Sequence, residues 1–322
     1  MILVIRNRGD YLKRERFVAL QNELFRLFGK GEFDAIYRCI DEAEREFPER
    51  IDKTSFWKAC AYSVEGKGEE AIAILNGAMQ KGIWWNPHTL MYDEDLKVLQ
   101  DKADFKVIVK KCEEIFKKQQ LTADPKLFTY GNEKAKASLF SLHWRGSNID
   151  DFAPYWCEEE ILHEYILGFS QSSQIHGMKS YSWDNHEIAI KDVMKTFNDF
   201  VNKYNLEDII IAGASQGGNI AIELALKNML ATQKFIAVIP AIRDVKAIES
   251  IVVSNDITNV EGCIVTGDKD LFYENTLQLM SMFEEYNVNC KLIVREGLGH
   301  LFPADFTQIL KNIMEEWTAK SI

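Results

Sequence analysis

Apolar side chains recur at helical spacing from residue 17 to residue 118 with few interruptions. Phe17, Leu20, Leu24, Leu27 and Phe28 lie mostly three and four residues apart, the period that gathers side chains on one face of an α-helix. Gly29-Lys30-Gly31 breaks the run, and Phe33, Ile36, Tyr37, Ile40, Ala43 and Phe47 resume it before Pro48. This pattern predicts a helical hairpin. A second hairpin is predicted by Phe56, Trp57, Cys60, Ala61 and Val64, a Gly66-Lys67-Gly68 break, and then Ala71, Ile72, Leu75, Ala78 and Met79 before Gly82. The turns repeat as Gly31-Glu32 and Gly68-Glu69, 37 residues apart (31 to 68).

Beyond Leu121-Thr122-Ala123-Asp124-Pro125 the period changes. Short β-rich apolar runs at 137–144, 165–172, 208–214, 234–240, 261–267 and 290–295 alternate with helical patterns near 186–203, 216–230, 273–286 and 304–319. Continuous apolar strands separated by helices are what a mainly parallel sheet covered on both faces requires. The expected organisation is an all-α helical-hairpin domain at 1–120 followed by an α/β domain at 126–322.

Composition narrows the function classes. With 322 residues, 47% hydrophobic and 27% charged, the chain has material for a large core and is not a disordered one. A net charge of −11 leaves no basic surplus to neutralise phosphates, which sets nucleic acid aside as a general partner. No stretch approaches the ~20 apolar residues of a membrane span, and the apolar run at residues 2–5 is too short for a signal-peptide core. The six cysteines lie far apart without a Cys-x-x-Cys pair, so reduced, packed thiols and a cytoplasmic protein are expected. No His-x-x-x-His or His-Glu-x-x-His pattern points to a metal, and Glu158-Glu159-Glu160 reads as a solvated helix face.

The densest chemical signal is Asp208-Ile-Ile-Ile-Ala-Gly213-Ala214-Ser215-Gln216-Gly217-Gly218-Asn219. An apolar strand runs into Gly-x-Ser-x-Gly and then into the helical run Ile220, Ala221, Leu224, Ala225. A serine on so sharp a strand-to-helix turn exposes its hydroxyl at the carboxyl edge of the sheet, and the following helix N-terminus favours developing negative charge. In folds of this kind an acid and then a histidine follow the serine in the chain. Here Gly267-Asp268-Lys269-Asp270 follows one predicted strand, and Gly297-Leu298-Gly299-His300 follows the next. Both therefore fall at the same sheet edge as Ser215. Upstream, Leu142-His143-Trp144-Arg145-Gly146 ends another strand and supplies a candidate oxyanion loop.

On these motifs residues 126–322 resemble the phospholipase/carboxylesterase branch of the α/β-hydrolases, which includes acyl-protein thioesterases. The resemblance implies an α/β-hydrolase fold, no cofactor and no metal. It makes Ser215 the nucleophile, His300 the general base and Asp270 its orienting acid, with the backbone amides of Gln216 and Arg145 as oxyanion donors. Asp270 is favoured over Asp268 by family position; on the residues alone either could cap the turn. The sequence departs from the family at His143-Trp144-Arg145-Gly146, where His-Gly-x-Gly is usual. A tryptophan at a glycine position restricts the backbone and fills space, so Trp144 is a candidate pocket wall, together with Trp183 and with Trp156 and Phe169. The N-terminal part resembles a degenerate tetratricopeptide-type array, with Asp93 through Phe105 as its closing segment. With only about two and a half hairpins it is either a cap that buries apolar surface or a surface for a protein partner or self-association.

Other residues have simpler explanations. His143, His163, His176 and His186 precede the serine and His88 lies in the helical half, an order that fits surface or satisfied core histidines, with His186 the reserve base. Asp244 and Asp256 are outside possibilities for the acid, and Cys157, Cys263 and Cys290 read as packed thiols. Trp84-Trp85 and Tyr181 read as core or interface anchors. The expected activity is cleavage of carboxylic esters or thioesters in a small-molecule or acyl substrate. A serine peptidase of the same fold shares the triad, and a non-catalytic scaffold would keep the fold while the oxyanion loop drifts.

Overall fold

The computed structural model describes residues 8–135, 137–206 and 208–319; the apolar run at 2–5 lies outside them. The chain divides into two compact units, one reaching Thr122 and including Ile175–Met178, the other comprising Ala123–Gln174 and the chain from Lys179 onward.

The first unit contains helices α1 (Arg8–Lys30), α2 (Phe33–Glu46), α3 (Ile51–Val64), α4 (Gly68–Gln80), α5 (Pro87–Tyr92) and α6 (Ala103–Gln120), with 3₁₀ turns at Pro48–Arg50 and Glu94–Leu99. The two hairpins read from the sequence are α1–α2 and α3–α4. On α2 the buried residues Ile36, Cys39, Ile40 and Ala43 follow helical spacing, so one face of the helix enters the core. Phe17, Leu24, Ile36, Ile40 and Trp57 share one apolar cluster, in which Phe17 stacks on Trp57 at 5.3 Å. Leu75, Trp84, Leu90, Leu99, Phe105 and Ile108 belong to a second. Ile175 and Met178 pack against this second cluster, the Asn86 side-chain amide donates to the His176 carbonyl at 2.5 Å, and the Ile175 N–H donates to Gln120 Oε1 at 2.9 Å. The main chain division thus follows Thr122, and four residues of the second half join the helical unit.

The second unit is a seven-stranded sheet in the order β1-β3-β2-β6-β7-β8-β9. Its strands are β1 (Lys126–Gly131), β2 (Ala137–Leu142), β3 (Ile166–Gln171), β6 (Asp208–Ala214), β7 (Lys234–Val238), β8 (Glu261–Gly267) and β9 (Asn289–Arg295), while the short β4 (Ile175–Gly177) and β5 (Ser180–Tyr181) lie outside it. The helices are α7 (Ile149–Phe152), α8 (Glu159–Glu164), α9 (His186–Tyr204), α10 (Gln216–Leu226), α11 (Val245–Ser254), α12 (Tyr273–Glu285) and α13 (Phe306–Ala319). Among the described residues of the seven-stranded sheet, β1 pairs antiparallel to β3 and the other neighbours pair in parallel. β1 escapes the sequence pattern because it is an edge strand whose residues are half-buried or exposed, and α7, α8 and α11 are too short for a clear helical period. The helix expected to run to 230 ends at Leu226, before Asn228 adopts a positive φ of 48°.

Side chains alternate across the sheet as the strand period demands. Leu139, Ile210, Ile236, Val238 and Val265 pack in a cluster with Phe306, Leu310 and Met314 of α13. Phe140, Ile209 and Ile211 join Val193, Phe197 and Leu224 from α9 and α10, while Phe235, Ala237 and Ile264 join Ile248, Leu279 and Phe283 from α11 and α12. With both faces covered, the central strands β6, β7 and β8 are nearly continuous apolar runs behind their first residue. The register pairs Leu142 with Gly213, Ala214 with Val238 and Gly267 with Arg295, so the loops that leave β2, β6, β7, β8 and β9 emerge along one edge.

Candidate active site

Ser215 stands at that edge between β6 and α10, with φ 52° and ψ −115°. This is a sparsely populated conformation for an L-residue, and it persists only where the surroundings over-determine it. They do so through the backbone. The Ser215 N–H donates to the Val238 carbonyl at 3.0 Å, and its own carbonyl accepts from Asn219 N at 3.1 Å and Ala241 N at 2.9 Å. The glycines answer a steric need: a Cβ at Gly217 would collide with the carbonyl oxygens of Leu142 and His143, and one at Gly213 with the backbone of Gly217.

His300, in the loop after β9, brings Nε2 to 2.8 Å from Ser215 Oγ, and its Nδ1 lies 2.7 Å from Asp270 Oδ2. An Nδ1–H donated to the carboxylate leaves Nε2 free to accept the serine proton. The Asp270 carboxylate is buried, and its other oxygen accepts the Phe272 N–H at 2.7 Å. The competing Asp268 does a different task. Its Oδ1 accepts the Gly297 N–H at 2.6 Å, and Lys269 N donates to the Leu298 carbonyl at 2.9 Å, which fastens the histidine loop to the turn after β8. Of the two acids, the structure brings Asp270 to the imidazole. Ser215, His300 and Asp270, the three residues that the family resemblance implies, form one hydrogen-bonded chain.

The loop after β2 lies against the elbow through the close approach of Leu142 and His143 to Gly217. His143 is buried; its Nδ1–H donates to the Trp144 carbonyl at 2.8 Å, and its Nε2 accepts the Ser172 N–H at 3.3 Å. Burial, opposed by the bond to Trp144, pulls its pKa down to about 4, so the ring is neutral. The Trp183 indole stacks on it at 4.7 Å and donates Nε1–H to the His143 carbonyl at 2.8 Å. Gly146 N donates to the Tyr181 carbonyl at 2.8 Å, and Tyr181 N to the Ser147 carbonyl at 2.7 Å. Arg145 carries an exposed side chain that reaches Asp184 through Nε at 2.7 Å and Nη2 at 3.0 Å. Gln216 donates Nε2–H to the same carboxylate at 3.1 Å and accepts the Trp183 N–H at 2.9 Å.

Of the aromatic side chains expected to wall a pocket, Trp144 alone is partly exposed. It meets Phe152 and Tyr155 edge-on at 5.4 and 5.7 Å, and Phe302 at 6.1 Å. Trp156 and Phe169 are fully buried, and Trp183 lies beneath His143 as a support of the loop. His186 pairs with Glu223 at 2.8 Å, away from the serine–histidine pair. Asp244 caps α11 through Ala247 N, and Asp256 accepts from Thr258. All six cysteines are free, and burial pushes the Cys157, Cys263 and Cys290 thiols up, Cys263 to about 12. Among the described residues, Cys60, Asp93 and Asp95 of the helical unit are the grouping of possible metal ligands. Burial, helped by the two carboxylates, raises the Cys60 thiol and keeps it protonated, while Asp93 is used as a cap on Asp95 N at 3.0 Å. Sequence reasoning missed Asp184, whose link to Arg145 spans 39 residues and leaves no periodic trace. Its only local mark is its place beside Trp183, just ahead of the Asn185 cap of α9.

Residues 16–120 match the family model described as A/B hydrolase-like, N-terminal domain. Among solved structures the chain is similar to an uncharacterized protein from Bacillus cereus ATCC 10987, with 26% identity over 93% of this chain and 97% of that one and a TM-score of 0.52. It is also similar in fold to esterase PE8, with 17% identity over 60% of this chain and 98% of that one and a TM-score of 0.51. The fold is that of the α/β-hydrolases. A search of curated proteins finds no match to the chain. Among the described residues no helix is long and apolar enough to cross a membrane. Chemically, the α/β-hydrolase unit presents an activatable hydroxyl, a base in contact with it and an acid that fixes the base, beside a helix N-terminus suited to an oxyanion.

Proposed function

We propose that this protein is a serine hydrolase that cleaves carboxylic esters or thioesters through an acyl-enzyme on Ser215. The observation that carries this reading is the continuous Ser215–His300–Asp270 chain at a strained strand-to-helix turn. Ser215 Oγ attacks the acyl carbon as His300 Nε2 takes its proton, and Asp270 holds the imidazole tautomer and stabilises the imidazolium. The backbone amides of Gln216 and Arg145 receive the oxyanion, each such donor being worth roughly 10²–10³ in rate. His300 then protonates the leaving alcohol or thiol and activates the water that releases the acid. No step calls for a metal or an organic cofactor. The partly exposed Trp144, with Tyr155 and Phe302, supports an aromatic wall for the acyl group.

The similarity to esterase PE8 and the match to a hydrolase-like N-terminal domain support the same class. For the helical unit, the 37-residue repeat of its turns (31 to 68) supports a tetratricopeptide-like surface for a protein partner or for self-association. Six free cysteines support a reducing, cytoplasmic setting.

The test treats wild-type and Ser215→Ala protein with a fluorophosphonate, maps the label, and assays p-nitrophenyl esters of graded chain length beside thioester and peptide-amide substrates. Label confined to Ser215, with ester or thioester turnover lost in the variant, is the expected result. Amide turnover exceeding ester turnover would make it a peptidase. Absence of label on the folded wild type would refute the assignment and favour a non-catalytic binding protein.

A further inference from the structure

We propose that Asp184 is the positioning residue of the oxyanion site, one carboxylate that fastens the side chains of both residues whose backbone amides receive the developing charge. The inference rests on the reading of Ser215 as nucleophile with Gln216 and Arg145 as donors. Those donors come from two separate places, the loop after β2 and the first residue of α10, and an oxyanion site works only if both amides are aimed at one point before the reaction. Arg145 grips Asp184 with two nitrogens, at 2.7 and 3.0 Å, the forked geometry in which guanidinium and carboxylate fix each other's orientation. Gln216 reaches the same carboxylate at 3.1 Å, while its amide oxygen accepts the N–H of Trp183, the residue before Asp184. Both ends of the Gln216 amide are therefore spoken for by two consecutive residues. The same Trp183 holds the His143 carbonyl through its indole at 2.8 Å. Trp183-Asp184 thus joins His143, Arg145 and Gln216 into one rigid assembly.

This assembly explains how the loop keeps its shape with Trp144 where glycine is usual in the family it resembles. A glycine loop reaches its geometry through backbone freedom; here side-chain bonds from outside the loop impose it. Burial alone would raise the Asp184 pKa, but the bonds from Arg145 and Gln216 dominate and pull it down to about 2. The carboxylate is accordingly charged wherever a histidine base operates. It touches neither the serine nor the imidazole, so its effect passes through Arg145 and Gln216.

The experiment compares wild type, Asp184→Ala, Asp184→Asn, Arg145→Ala and the Asp184→Ala/Arg145→Ala pair, with Ser215→Ala as the reference for lost chemistry. Each is checked for folding by thermal melting, then assayed for kcat and KM on a p-nitrophenyl ester and for Ki of a boronic acid that forms a tetrahedral adduct on serine. Arg145→Ala removes the guanidinium and leaves the backbone amide in place. For Asp184→Ala, kcat should fall about 10- to 100-fold, less than the ~10²–10³ for deleting a donor outright, because the amides are loosened and not removed. KM should change by less than about twofold and Ki should rise by the same factor as kcat falls, the signature of an interaction made only in the transition state. Arg145→Ala should show part of that loss, Asp184→Asn should lie between wild type and Asp184→Ala, and the double variant should be no worse than Asp184→Ala. A folded Asp184→Ala enzyme with wild-type kcat, a rise in KM alone, or losses that multiply in the double variant would each overturn the proposal. Should Asp184→Ala not fold, Asp184→Asn and Arg145→Ala decide by the same kcat and Ki criteria. Wild type without turnover, or turnover that survives in Ser215→Ala, would instead bring down the hydrolase reading itself and this inference with it.

Discussion

The turn that carries Ser215 and the loop after β2 sit side by side at one sheet edge but are held by different means. Around Ser215 the restraints are main-chain: its N–H on Val238, its carbonyl on Asn219 and Ala241, and two glycines that admit backbone against backbone. Around His143–Ser147 the decisive restraints include side chains gathered from well-separated positions: the imidazole of His143, the indole of Trp183, the carboxylate of Asp184 and the amide of Gln216. Backbone restraint comes with the fold and tolerates most changes of side chain. Side-chain restraint can be tuned by a single substitution, so the shape of the loop can change while Ser215 stays where it is.

Ser215→Ala tests the turn at its reacting atom: turnover should drop by about 10⁶-fold while the thermal unfolding curve barely moves, since one half-buried hydroxyl is removed and the backbone bonds remain. Gly217→Ala attacks the same region through its backbone. The added Cβ meets carbonyl oxygens that cannot rotate away, so a loss of about 1–3 kcal/mol in denaturant unfolding and at least ~10² in kcat/KM are expected, even though no catalytic group is altered.

On the loop side, His143 has a pH signature. Its pKa of about 4 in the folded protein lies below the ordinary 6.5, so between these values the unfolded chain binds a proton that the folded one excludes. Stability from this site is therefore full above pH 6.5, declines as the pH falls, and levels off below about 4, a total of about 3 kcal/mol. Urea unfolding at a series of pH values should show this slope in wild type and lose it in His143→Gln. The smallest effect is expected at Asp268, which holds the histidine loop through Gly297 N. Asp268→Ala should lower kcat about tenfold, short of the ~10² that a 1 Å misplacement of a catalytic group can cost, and it should leave KM unchanged in steady-state assays.

Much of this arrangement was legible in the sequence because it depends on near neighbours. The runs at 208–214 and 261–267 coincide with β6 and β8, and Gly-x-Ser-x-Gly falls between a strand and a helix as its chemistry requires. The ends of neighbouring elements were read less well. The runs expected to reach 144 and 240 stop at Leu142 and Val238, where the chain leaves the sheet for the loop at His143 and for Ile239, whose φ is 42°. β1 was missed because a half-exposed edge strand lacks the continuous apolar run that marks a central one.

What the sequence by itself determined is the helical hairpins, the central strands and helices of the α/β unit, the turn that presents Ser215, and the chain order of serine, acid and histidine. Periodicity and glycine placement act over a few residues, and they are written directly in the string of side chains. Tertiary structure alone decided that Asp270 faces His300 while Asp268 ties down its loop, that Ile175–Met178 join the helical unit, and that Asp184 clamps Arg145 and Gln216. Those outcomes depend on contacts between residues 29 to 90 positions apart in the chain. Strand register and core packing bring such residues together, and nothing in the local pattern of either partner names the other.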